Sequence, residues 1–260
     1  MNECDVAKEA ARVAQDILMA WSGPLGVNYK GAVDLVTEVD LACETAIREV
    51  LENHTPGVSI VGEEQGGSLG DEPQWVIDPI DGTTNFVHGF PHYGISIAFQ
   101  TGGITTAGVV LDVVRNQMYT AEKGNGAYCN GDPIYISKCA DLDQALLATG
   151  FPYDRRTRPS HYLRYVEAMM ARCQGIRRPG SAALDLAMVA SGVLDGFWEF
   201  GLSWWDVAAG VLLVEESGGI VTSIDGSELQ WDSPAPLAAN PRIHASMMSV
   251  LSEVDAAEDR

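Results

Sequence analysis

Basic residues are scarce in this chain: 16 Lys and Arg stand against 36 Asp and Glu, a formal net charge of −20. So acidic a surface repels nucleic-acid backbone and anionic membrane unless a local basic patch offsets the field. The only dense basic segments are Arg155-Arg156-Thr157-Arg158 and Arg177-Arg178. Cysteine is sparse as well. Cys4, Cys43, Cys129, Cys139 and Cys173 are odd in number, scattered and without CxxC spacing. That pattern argues against a disulfide framework and a thiolate metal site, and it fits a reducing cytoplasm. The five histidines show no HExxH or comparable spacing, which speaks against a zinc hydrolase. No apolar run reaches the length of a membrane span. The opening Met1-Asn-Glu-Cys-Asp-Val-Ala-Lys has acids where an export signal needs cations, and it shows no apolar signal core. A cytoplasmic protein is expected.

What is present is enough apolar material for a full core: 260 residues, 46% hydrophobic. Apolar residues at helical spacing predict a helix over Asp5–Ala20 and a second one after Glu38, ending near Asn53 ahead of Pro56-Gly57. Strands follow at Val58–Val61 and Gln74–Ile77, then a meander through Gly94–Thr101, Ile104–Leu111 and Gln117–Ala121. Gly102-Gly103 marks a hairpin between the first two meander strands, and Gly124-Asn125-Gly126 another turn. Beyond about Asp141 the pattern changes. Helices near Tyr162–Arg172, Ser181–Ala190 and Asp206–Glu216 alternate with short apolar runs at Gly196–Trp198, Gly219–Thr222 and Leu237–Ala239. The expected class is α+β: an antiparallel-sheet lobe over residues 1–141, then an α/β lobe over residues 142–260.

The chemistry concentrates in acids. Trp75-Val-Ile-Asp78-Pro-Ile-Asp81-Gly82-Thr83-Thr84-Asn85-Phe86 is an apolar run that stops at two carboxylates and a Gly-Thr-Thr turn. Two acids three apart at a strand end make a poor core but a good seat for hard cations. The turn after them is shaped to start a helix whose first N–H groups point at an anion. Three more acidic clusters stand out: Asp34-Leu-Val-Thr37-Glu38-Val-Asp40, Gly62-Glu63-Glu64, and Trp204-Trp205-Asp206. Carboxylates with backbone carbonyls suit Mg²⁺ or Mn²⁺. Taken singly, Glu63-Glu64 also reads as a solvated turn, Asp206 as a helix cap and Asp40 as a surface acid. Their occurrence together, in this order, carries the metal reading.

At these residues the sequence resembles the inositol monophosphatase family of Mg²⁺-dependent, lithium-sensitive phosphatases. Two long segments carry the resemblance: Trp75-Val-Ile-Asp-Pro-Ile-Asp-Gly-Thr-Thr-Asn-Phe-Val-His-Gly-Phe-Pro91 and Trp205-Asp-Val-Ala-Ala-Gly-Val-Leu-Leu-Val-Glu-Glu-Ser-Gly-Gly219. Shorter matches at Asp34-Leu-Val-Thr37, Gly62-Glu-Glu64, Gly124–Gly131 and Gly180-Ser-Ala-Ala183 extend it over almost the whole chain. The resemblance implies a layered α/β/α/β/α sandwich and a homodimer. It also implies that Glu63, Asp78 and the Ile80 carbonyl hold a first metal, and that Asp78 bridges to a second held by Asp81 and Asp206. A weaker third ion is expected beside Glu63. Phosphate is expected on the N–H groups of Gly82 and Thr83, while Asp40 and Thr83 orient and deprotonate the attacking water. Gly180, Ser181, Ala182 and Glu199 face the alcohol portion, and Asp206 serves both metal and substrate.

The reaction implied is hydrolysis of myo-inositol 1-phosphate or a related small polyol phosphate by direct attack of water, with two to three Mg²⁺ ions and Mn²⁺ as a substitute. Two departures touch the alcohol site: Ser203 stands where animal members often carry His, and Pro152-Tyr153-Asp154 where they carry a Ser. Thr84 favours this branch over relatives with Arg there or with Lys-Glu after the first Thr. One alternative keeps the mechanism and moves the substrate to fructose 1,6-bisphosphate. Another is a regulatory protein that binds the transcription machinery, for which Arg155–Arg158 is the one basic cue and the net charge an obstacle.

Overall fold

Period-2 alternation along the central strands decides the architecture. In the computed structural model, which describes residues 1–21, 27–29, 35–232 and 234–258 (backbone alone at 27–29, 35–36 and 257–258), successive side chains of each central strand enter different cores. Asp34 of the second acidic cluster lies outside the described residues.

The chain begins with α1 (Glu3–Ala20), the short antiparallel pair β1 (Val27–Tyr29) and β2 (Leu35–Thr37), and α2 (Glu38–His54). A seven-stranded sheet follows: β3 (Ser59–Gly62), β4 (Gln74–Asp81), then, after α3 (Thr83–His88), β5 (Gly94–Thr101), β6 (Ile104–Asp112), β7 (Gln117–Glu122), β8 (Ala127–Cys129) and β9 (Asp132–Pro133). Its strands lie in sequence order. The hairpin at Gly102-Gly103 has positive φ at both residues, 60° and 72°, as a two-residue hairpin turn of the primed kind requires. The sheet is not wholly antiparallel as expected, because β3 pairs with β4 in parallel. The return path of residues 63–73 places the Glu63 turn at the same end of the sheet as Asp78 and Asp81.

The second sheet is mixed, in the order β11-β10-β12-β14-β13, from β10 (Leu146–Thr149), β11 (Gly175–Arg177), β12 (Gly196–Trp198), β13 (Ile220–Ser223) and β14 (Pro236–Ala239). Four helices accompany it: α4 (Pro159–Met170), α5 (Ala182–Ala190), α6 (Trp204–Glu216) and α7 (Pro241–Glu258). Strands β10 and β11 and the 18-residue helix α7 lie where the sequence reading placed no element.

Three buried cores stack these parts into five layers. Trp75, Ile77, Ile95, Ile97, Val109 and Leu111 face α1 and α2. Val76, Ala98 and Val110, on the opposite face, meet α5 and α6, which also touch Phe197 and Ala238 of the second sheet. The far side of that sheet packs Leu147, Trp198 and Leu237 on Tyr165, Met169, Ile243 and Met247 of α4 and α7. The result is the α/β/α/β/α sandwich. Close approach in the middle layer depends on glycine: a Cβ on Gly108 would meet Ala209 at 3.1 Å, and one on Gly210 would meet the Leu186 Cβ at 2.6 Å.

Candidate active site

The end of β4 supplies two carboxylates and a kink. Pairing with β5 slips between Asp78 and Asp81, so the strand bends where the chain carries its acids. The Ile80 N–H donates to Asp78 Oδ1 at 3.0 Å across that bend. Gly82 follows with φ 99° and starts α3. A side chain there would be strained, and its Cβ would lie 3.2 Å from both the Gly180 and His92 carbonyl oxygens. The first turn of α3 leaves backbone N–H groups without partners inside the helix.

Asp40 arrives from α2 as its third residue. Its Oδ2 accepts from the backbone N–H of Thr37 at 2.8 Å and from the Thr37 hydroxyl at 2.5 Å, a capping box. Its Oδ1 accepts from the Thr83 hydroxyl at 3.0 Å. Thr83 Oγ1 also lies 3.0 Å from the Ile80 carbonyl oxygen. Asp206, third residue of α6, repeats the device: its Oδ2 accepts from the Ser203 N–H at 2.7 Å. The position is inside the helix rather than at its cap.

Asp81 is fixed from the start of α5. Its Oδ2 accepts from the Ser181 hydroxyl and from the Ala183 N–H, both at 2.6 Å. Ser181 is buried and does not line the cleft. Its hydroxyl grips Asp81 rather than capping α5, whose first turn has no side-chain cap. Gly180 and Ala182, in contrast, are on the cleft wall.

Glu63, Asp78, Ile80, Asp81, Gly82, Thr83, Gly180, Ala182, Glu199 and Asp206 therefore share one cleft of about 190 Å³. A larger cavity of about 600 Å³, between α1 and the β7–β8 edge, brings together none of these residues.

The electrostatics of the cleft are those of crowded acids. Burial, then Glu63, Asp81 and Asp206, raise Asp78 well above the ordinary carboxylate range. Burial, then Glu63 and Asp81, do the same to Asp206. Asp81 is raised to about 6 by burial, against the hydrogen bonds from Ser181 and Ala183. Asp40 is raised by burial against the hydrogen bonds from Thr37 and Thr83. Glu199 is pushed up to about 8 by burial, with Arg178 opposing.

Like-charged oxygen donors gathered in one cleft fit a hard divalent cation, which relieves their repulsion. Among the described residues no three such side chains close around a single point; they open onto the shared cleft.

Sequence reasoning missed several neighbours. Arg155 and Arg178 stand on the cleft rim beside Phe151 and Tyr153. Asn85 Nδ2 donates to the carbonyls of His92 at 2.6 Å and Pro179 at 2.9 Å, tying α3 to the loop that carries Gly180. The Asn85 position inside the long β4–α3 segment was legible, but its partner Pro179 lies 94 residues away. His92 and Asp185 face each other at 3.6 Å in the interior next to Asp81, with nothing in their local sequence to pair them.

This chain belongs to the inositol monophosphatase family, whose model matches residues 2–256. It is 42% identical over 250 residues to the Nus factor SuhB of Escherichia coli K12, covering 94% of each chain. It is 38% identical over 231 residues to the inositol-1-monophosphatase of Mesorhizobium japonicum, covering 88% of this chain and 87% of that one. Among solved structures, the inositol monophosphatase of Anabaena superposes with a TM-score of 0.88 at 39% identity, covering 96% of this chain and 95% of that one. The suppressor protein SuhB of Bartonella henselae gives 0.90 at 36% identity, with 95% and 97% covered. The family acts on phosphorylated substrates.

Proposed function

We propose that this protein is a Mg²⁺-dependent phosphomonoesterase that hydrolyses myo-inositol 1-phosphate or a related small polyol phosphate. The observation that carries the reading is the convergence of Glu63, Asp78, Asp81 and Asp206 on one cleft beside the glycine-started turn at Gly82–Thr83. Glu63, Asp78 and the Ile80 carbonyl would hold one cation, and Asp78, Asp81 and Asp206 a second. Such ions, when bound, lower the pKa of water and neutralise charge on the phosphoryl and leaving oxygens.

The chain's own groups do the rest. The Gly82 and Thr83 N–H groups receive phosphate oxygens without bringing mobile charge. Thr83 Oγ1, already donating to Asp40, takes a hydrogen bond from the attacking water and passes the proton to Asp40 Oδ1. Burial has raised Asp40, so its carboxylate is a better proton acceptor than an ordinary one. Glu199, which also lines the cleft, accepts hydrogen bonds from vicinal hydroxyls of the alcohol. No covalent phospho-enzyme is needed.

The reading is tested by phosphate release from a panel of cyclitol and sugar phosphates, with Mg²⁺ present or withheld. The expected result is Mg²⁺-dependent turnover with the highest kcat/KM for inositol 1-phosphate. A much higher kcat/KM for fructose 1,6-bisphosphate would move the substrate to a sugar bisphosphate, whose second phosphate the rim guanidiniums of Arg155 and Arg178 favour.

A second reading is favoured by the relatives named Nus factor: a binding role toward the transcription machinery, separate from catalysis. Binding of the purified chain to a transcription elongation complex, repeated with Asp81→Asn, tests it. A separate role predicts binding that survives loss of turnover.

A further inference from the structure

Glu44 lies in the middle of α2, one turn beyond Asp40, and is fully buried. Its Oε2 accepts from the backbone N–H of Glu64 at 2.8 Å, and its Oε1 from the backbone N–H of Gln65 at 3.0 Å. Arg48, one turn further, donates from Nε to the same Oε1 at 2.9 Å. It also reaches the Ile60 carbonyl at 3.3 Å and the Gly66 carbonyl at 3.0 Å. The two side chains thus hold the chain on both sides of Glu63.

The turn they hold is itself closed, by reciprocal hydrogen bonds of 3.0 and 3.1 Å between the backbones of Gly62 and Gly66. Gly62 is required because a Cβ would overlap the Glu44 carboxylate. A buried ion pair is a poor source of stability, since desolvation offsets most of the attraction. Such groups do have a use behind metal ligands, where they fix orientation and tune affinity.

We propose that Glu44, braced by Arg48, is a positioning residue for the cation site: it sets the backbone of the 62–66 turn so that the Glu63 carboxylate meets Asp78 in the cleft. The inference rests on the cation reading of Glu63 given above and adds to it two residues that do not line the cleft. A Gln at position 44 keeps the volume but cannot accept from two backbone N–H groups while also facing the Arg48 guanidinium.

The test is calorimetric titration of Mn²⁺ into the metal-free full chain, as wild type, Glu44→Gln and Glu63→Gln, with a thermal melt of each. Glu44→Gln is expected to bind Mn²⁺ more weakly by about 10–100-fold while still melting cooperatively. Its turnover recovers at high Mg²⁺ concentration, whereas that of Glu63→Gln does not. Wild-type affinity in a folded Glu44→Gln overturns the proposal and leaves the cation site standing. Absence of Mn²⁺ uptake by the wild type overturns both.

Should Glu44→Gln fail to fold, hydrogen exchange of the metal-free wild type decides. Protection of the 64 and 65 amides before any cation is added supports the brace. Protection that arrives only with Mn²⁺ means the cation orders the turn, and overturns it.

Discussion

A carboxylate has two oxygens, and Asp78, Asp81 and Asp206 of the cleft, like Asp40 behind it, each have one held by a neighbouring N–H or hydroxyl. Asp40 Oδ2 is held by Thr37, Asp81 Oδ2 by Ser181 and Ala183, and Asp206 Oδ2 by the Ser203 N–H. Asp78 receives the Ile80 N–H on Oδ1. Such bonds preorganise the donors, so little side-chain freedom is left to lose when a cation or proton arrives. In the proposed mechanism Thr83 links this framework to the reacting water. Removing its hydroxyl in Thr83→Ala is expected to lower kcat by about 10²–10⁴-fold, the range for general-base assistance, with little change in KM. Thr83→Ser is expected to retain most of the rate. Steady-state kinetics of the two variants check this; equal rates in wild type and Thr83→Ala would remove Thr83 from the proton path.

At the scale of elements, how much the sequence disclosed depends on where the partner of each residue lay. Helices α1, α2, α5 and α6 were legible because their apolar stripes and start signals are local. So was the meander, through alternation and the Gly102-Gly103 turn. Helix α7 was overlooked although Ile243, Met247, Val250 and Leu251 have helical spacing and Asn240 caps the first turn. Strands β10 and β11 are three or four residues long and become strands only by pairing with each other and with β12. In the candidate site, Glu63, Asp78, Asp81 and Asp206 were legible as acids at element ends. The grip of Ser181 on Asp81 was not, because it spans 100 residues. The middle layer gives a packing test. Gly210→Ala gains about 1 kcal/mol of helix propensity but drives a methyl into Leu186, and overpacking costs about 1–3 kcal/mol. Net destabilisation is expected, read as a lower urea midpoint at unchanged slope.

Over the whole molecule, the net charge of −20 and the acid-lined cleft act in one direction. Asp78, Asp81, Glu199 and Asp206 all hold protons more tightly in the folded chain than in the unfolded one. Where the folded state binds more protons, stability falls as pH rises. In chelator, Tm is therefore expected to decline between the ordinary carboxylate range and about pH 8, where Glu199 finally ionises. A fall of at least about 5 °C is expected, given roughly 2–4 °C per kcal/mol in chains of this size. With Mg²⁺ bound as proposed, the ion would take the place of those protons and flatten the slope, which a melting series at several pH values with and without Mg²⁺ checks.

The proposed function turns on cations held by Glu63, Asp78 and Asp81 at one end of the first sheet and by Asp206 on α6. Its most direct test is phosphate release from myo-inositol 1-phosphate by wild type and Asp81→Asn, each in Mg²⁺ and in chelator. Turnover by the wild type is expected in Mg²⁺ alone. Loss in Asp81→Asn should exceed about 100-fold, beyond the range of a merely supporting residue, with no fall in Tm when both proteins are melted in chelator. Release that persists in chelator, or a folded Asp81→Asn that turns over like the wild type, would contradict it.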